Sequence, residues 1–285
     1  MARYLGTKRG IALIPTLLTL GNGFCGFVAI AKALDAVMYA GSPVFGEKLV
    51  QAAWLIFLAM VFDALDGRVA RLTQQTTEFG AQLDSFTDLI SFGVAPAVMV
   101  KVIFEQGMIQ ANLSYSVKLT LLLTALYTIC SVLRLARFTV DTTPEDHAHH
   151  LFMGLPTPAA AGTIAASVLF LYHGDQTFSF MEKPEVLLSI KKGLLFLPPL
   201  LGLLMMSKIE YVHFFNRFVR GRKTFNFLVQ GILVLFLVAF WHEVAILLCF
   251  LAYLASGPVM AFKGLAEKLL KGSKRKATPP PREDK

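Results

Sequence analysis

Residues 63–88 read DALDGRVARLTQQTTEFGAQLDSFTD, and they place four aspartates in a chain that is otherwise largely apolar. Written as a pattern, the stretch is D-x2-D-G-x2-A-R-x8-G-x3-D-x3-D. Asp63 and Asp66 stand three apart, and Asp84 and Asp88 four apart, so on helices each pair shares one face. Carboxylates at membrane depth are costly; they pair, line a wet cavity or hold a metal. Two antiparallel helices joined through the polar LTQQTTEFG turn would face the two pairs toward each other, and four facing acids need a cation. An all-oxygen cage suits a hard divalent ion.

The rest of the chain supplies the membrane. Of 285 residues 55% are hydrophobic and only 16% charged, far from the balance of an ordinary soluble domain. Apolar runs near the ~20 residues that a bilayer crossing needs recur at about 11–33, 49–65, 81–104, 117–132, 154–172, 193–206, 225–240 and 244–262. The sixth is short and contains Pro198 and Pro199. The expected fold is an all-α polytopic membrane protein of about eight transmembrane helices, with a cavity opening on the cytoplasmic face. Arg3, Lys8 and Arg9 precede the first run, and Ala29-Ile30-Ala31 matches a cleavage pattern. That run is longer than a signal-peptide core and is interrupted by Pro15, Gly21 and Asn22, so it is read as a retained helix.

Charge placement orients the bundle. With alternating loops, one side receives 20 of the 27 Lys and Arg residues and the other side 7. The positive-inside rule puts both termini and the aspartate motif in the cytoplasm, in a cell (inner) membrane. The net charge of +8 is thereby explained by orientation, and nucleic acid is not an expected partner. Cys25, Cys130 and Cys249 lie far apart inside apolar runs, without metal or disulfide spacing, and read as small buried apolar side chains. A membrane-embedded body over 1–262 is followed by a basic, proline-ended tail over 263–285 that is too polar to fold alone.

The aspartate pattern resembles the signature of the CDP-alcohol phosphotransferases, membrane enzymes that move a phosphatidyl or phosphoalcohol group from a CDP-linked donor to an alcohol. SFGVAPA (91–97) and RLARF (134–138) resemble the phosphatidylserine synthase branch of that family, as does FMGLPTPAAAG (152–162). The likeness covers about 11–172; the helices over 193–262 are supported by hydrophobic layout alone. It implies that Asp63, Asp66 and Asp84 are metal ligands, with Asp63 and Asp84 bridging two ions, Mg2+ or Mn2+. Asp88 would touch the second ion and accept the proton of the incoming hydroxyl. Gly67, Arg71, Thr77 and Gly80 would meet the CDP-lipid, Gly80 serving either base approach or helix packing. The TLGNGFCG run around Asn22 resembles the family's first helix and reads as packing near the nucleotide.

The implied reaction joins CDP-diacylglycerol and L-serine into phosphatidylserine and CMP, in a homodimer within the bilayer. Serine brings a carboxylate toward four acids, and Arg134 and Arg137, three apart on one helix, are the cations placed to offset the repulsion. Two other readings stay open. One keeps the chemistry but changes the alcohol to glycerol phosphate, an inositol phosphate or a choline-like amine. The other makes the acids a transport site for a metal or ion, although transporters favour midplane sites and repeat symmetry. A purely structural alternative pairs the acids with Arg68, Arg71 and Arg137. The His147, His149 and His150 cluster reads as a solvated loop.

Overall fold

The computed structural model describes residues 5–73, 77–110, 116–141, 154–173, 184–209, 211 and 242–276, and every regular element among them is helical. In order these are α1 (Leu5–Val37), α2 (Pro43–Leu72), α3 (Glu78–Asp88), a π-helical segment (Leu89–Val94), α4 (Ala95–Gln110), α5 (Ser116–Asp141), α6 (Thr157–His173), α7 (Pro184–Met206) and α8 (His242–Lys276). Six spans among the described residues are long and apolar enough to cross a membrane: Leu13–Val37, Pro43–Leu72, Glu78–Gln106, Val117–Arg137, Ser189–Met206 and Glu243–Ala261. They match six of the eight expected runs. The fifth run is α6, 17 residues long and largely buried, and the seventh lies outside the described residues.

Small residues set the packing. On α1, Leu13, Leu17, Leu20, Phe24 and Phe27 form an exposed stripe at alternating three- and four-residue spacing. The opposite face buries Cys25, Ala29, Ala33 and Ala36 in one cluster with Ala52, Ala53 and Ala59 of α2. Lipid is as apolar as these side chains, so close backbone approach and dispersion hold the helices together. The rod formed by α3, the π-helical segment and α4 runs through the middle, with Phe92, Ala95, Met99 and Val100 fully buried. Cys25 and Cys130 are buried as expected, but Cys249 is exposed, because the outer helix α8 turns part of its apolar surface outward.

The π-helical segment has an identifiable cause. Pro96 has no N–H, so the carbonyl of Phe92, four residues earlier, loses its helical donor. Tyr127 of α5 donates its hydroxyl to that carbonyl at 2.7 Å. Thr128 donates to the Gly93 carbonyl at 3.2 Å, and the Ala95 N–H reaches back five residues to Ile90. Tyr127→Phe should therefore strand a buried acceptor and cost about 1–3 kcal/mol. Unfolding in detergent would check it; an unchanged transition would mean that the Phe92 carbonyl has another donor.

Two boundaries differ from the sequence expectation. The helix of the sixth run starts earlier, at Pro184, and α7 carries Pro198 and Pro199 within its 23 residues. Helix α8 continues to Lys276, beyond the expected end of the membrane body at residue 262; its Ala, Leu, Glu and Lys residues are good helix formers. Residues 277–285 and the histidines at 147, 149 and 150 lie outside the described residues.

Candidate active site

At one end of the bundle, the close of α2 and α5, one side of α3 along its length, the start of α6, and residues 15–19 of α1 surround a cavity of about 640 Å³. All four aspartates line it. Helix α2 runs unbroken through Asp63, Asp66 and Arg71, as the motif spacing requires. Thr77 then caps α3, its hydroxyl accepting the Gly80 N–H at 3.0 Å, and α3 returns Asp84 and Asp88 toward α2.

Asp63, Asp66 and Asp84 each offer an oxygen within 4.8 Å of the others. Asp66 Oδ2 and Asp84 Oδ1 are buried and accept no hydrogen bond from the protein. Like charges this close, with acceptor oxygens unmet, need a cation between them, and a pure oxygen donor set fits a hard divalent ion. The three carboxylates are thus able to hold a metal. Asp88 lies beside this triplet, near enough to all three to interact with them electrostatically. One turn deeper and buried, it accepts a hydrogen bond from Asn22 Nδ2 at 2.8 Å. All four acids thus face one cavity, three with clustered oxygens and the fourth beside them, held by an amide.

Asn22 therefore does more than pack. Its backbone carbonyl accepts from Ser91 Oγ at 2.9 Å, which locks α1 to the π-helical segment beside Asp88. Gly23 makes that approach possible, since a Cβ there would lie 2.7 Å from Thr87 Cγ2. The two motif glycines serve a different purpose. A Cβ at Gly67 would meet only Arg71 Nη2, at 3.9 Å, and one at Gly80 only the capping Thr77 hydroxyl. Among the described residues neither meets a neighbouring helix, which leaves the space beside both open toward the cavity. Arg71 is exposed at the cavity wall, and its Nε donates to the Gly67 carbonyl at 2.9 Å.

Arg134 and Arg137 separate. Arg134 lines the cavity and donates from Nη1 to Thr157 Oγ1 at 2.9 Å, while its buried Nε has no acceptor. Arg137 is exposed and outside the cavity lining, having risen about 4.5 Å further along α5. Sequence reading missed Tyr211 and Tyr253, which complete the wall beside Arg134. A single tyrosine in a polar loop and another in an apolar span carry no spacing signal.

The sequence model of the CDP-alcohol phosphatidyltransferase family matches residues 12–198. The chain is 36% identical over 202 residues to a CDP-diacylglycerol–serine O-phosphatidyltransferase of Helicobacter pylori, covering 71% of this chain and 73% of that one. It is 33% identical over 216 residues to the enzyme of the same name from Methanocaldococcus jannaschii, covering 76% and 87%. An archaetidylserine synthase of Methanothermobacter thermautotrophicus is 33% identical over 170 residues, covering 59% and 63%. No solved structure matches. With its family signature folded around one cavity and two thirds of its length matched, the chain belongs to the CDP-alcohol phosphatidyltransferase family.

Proposed function

We propose that the protein transfers the phosphatidyl group of CDP-diacylglycerol to L-serine, giving phosphatidylserine and CMP. The observation that carries this reading is one cavity lined by three clustered carboxylates and by a half-buried guanidinium whose buried Nε is an unused donor among the described residues. The names of the relatives support it. Asp63, Asp66 and Asp84 would hold divalent metal, two ions of Mg2+ or Mn2+ in this reading, which when bound neutralises the pyrophosphate and its leaving group. Arg71 pairs with phosphate oxygens, and Gly67 and Gly80 leave the wall clear for the cytidine diphosphate, with Thr77 at its edge.

Asp88, oriented by Asn22, accepts the proton of the serine hydroxyl as that oxygen attacks the phosphorus bearing the diacylglycerol. The phosphorus–oxygen bond to CMP breaks, and CMP leaves with the electron pair. Arg134 pairs with the serine carboxylate and offsets the repulsion of the acids. Purified protein given CDP-diacylglycerol with labelled serine, glycerol phosphate, inositol phosphate or choline should make phosphatidylserine and CMP from serine alone. A product from another alcohol and none from serine would overturn the acceptor; metal flux without CMP release would overturn the enzyme.

The basic asymmetry supports a cytoplasmic cavity mouth with both termini on that side of the inner membrane. Single cysteines at 73–78 should escape a membrane-impermeant thiol reagent in intact cells, and single cysteines at 175–182 should react. Labelling at 73–78 from outside would reverse the orientation. The family resemblance supports a homodimer, which a monomeric mass in nanodiscs would exclude.

A further inference from the structure

We infer that Tyr211 is an acceptor-selecting residue, its hydroxyl and Arg134 Nε forming a paired donor set for the carboxylate of an amino-acid acceptor. This rests on the reading of serine as acceptor. Tyr211 is only 4% exposed, yet among the described residues its hydroxyl has no hydrogen-bond partner, and the buried Arg134 Nε has none either. Both residues line the same cavity. They are linked through Tyr253: the Tyr211 and Tyr253 rings lie 5.8 Å apart, and Tyr253 is near enough to Arg134 to interact electrostatically. Burying one donor without an acceptor is unfavourable, and burying two in the lining of one cavity is more so unless a ligand supplies the oxygens. A carboxylate presents two acceptor oxygens and matches a guanidinium N–H with a phenolic O–H.

The chain just before Tyr211 is fastened at Leu204 and Ile209. The Gly154 N–H donates to the Ile209 carbonyl at 2.9 Å, and the Leu155 N–H to the Leu204 carbonyl at 3.1 Å. These two bonds tie the segment after α7 to the residues just before Thr157, the partner of Arg134. Gly154 has φ +88°, and a Cβ there would collide with the Met205 carbonyl, so the seam requires glycine. On the far side the Tyr211 ring rests on Gly257 of α8, where a Cβ would lie 2.5 Å from the ring. Tyr211, Tyr253 and Gly257 all fall beyond residue 198, the end of the family match. The general phosphotransfer machinery thus comes from the matched segment, and this part of the acceptor wall comes from outside it.

The test uses full-length purified enzyme with CDP-diacylglycerol and either L-serine or L-serinamide, which keeps the hydroxyl and the ammonium but lacks the carboxylate. Tyr211→Phe retains the ring and its packing. It should raise the serine KM about ten- to a hundredfold, the range of a lost hydrogen bond to a charged group. The CDP-diacylglycerol KM and the kcat/KM for serinamide should stay unchanged, a split that a merely structural role would not produce. Gly257→Ala, which must displace the ring, should raise the serine KM in the same way with the hydroxyl still present. A normal serine KM in both variants, or equal loss toward serine and serinamide, overturns the assignment while leaving serine as acceptor. A wild-type enzyme that makes no phosphatidylserine overturns the functional reading first, and this inference with it.

Discussion

Asp84→Ala is expected to lower CMP release from CDP-diacylglycerol by about 10³-fold or more, with the protein still inserting and purifying. Metal-assisted charge stabilisation is worth several kcal/mol, and each 1.36 kcal/mol is about a factor of ten in rate. Asp84 is the one member of the carboxylate triplet that α3 contributes; Asp63 and Asp66 both come from α2. Its removal therefore leaves a one-sided site that cannot span the two helices. Binding of Mn2+ to the purified variant, followed by its paramagnetic signal, should weaken in parallel. Near-normal turnover, or unchanged Mn2+ affinity, would remove Asp84 from the metal site.

Asp88→Asn should reduce kcat by about 10²–10⁴-fold, the usual worth of a positioned general base. The substitution is close to isosteric, and the Asn side-chain oxygen can still accept from Asn22 Nδ2, so the buried contact between α1 and α3 survives. What disappears is the ability to take a proton. CDP-diacylglycerol should bind the variant as it binds the wild type. If binding of the donor is lost instead while residual turnover persists, Asp88 acts chiefly as a metal ligand, and the proton goes elsewhere.

Much of this site was legible because its geometry is local. Three- and four-residue spacings on helices fix which acids share a face, so Asp63 with Asp66 and Asp84 with Asp88 could be paired without coordinates. The amide that holds Asp88 was not legible: it belongs to Asn22, 66 residues away, and depends on how closely Gly23 lets α1 approach. The same holds for Arg134 and Arg137. Spacing put both on one face, but only the position of the cavity mouth along α5 decides which of them looks inward. Tyr211 was invisible for a third reason. Its place follows from main-chain hydrogen bonds to residues 154 and 155, and such bonds leave almost no mark on side-chain pattern beyond a single glycine. In the bundle itself, apolar run lengths located the spans, whereas α7 and α8 outran their hydrophobic cores at one end each.

The central rod also encodes an angle. In an α-helix each residue turns the chain about 100°, and the wider turn over Leu89–Val94 takes up extra residue length without extra turns. The carboxylate-bearing end and the lipid-depth end of a single span are thereby set in different rotational phases. Asp84 and Asp88 can look into the cavity while Phe92, Met99 and Val100 look into the bundle interior. A regular helix carrying the same residues would have to compromise one face for the other. Pro96 and Tyr127, neither of which lines the cavity, are in this sense part of its aim: they hold the twist that points the acids into it.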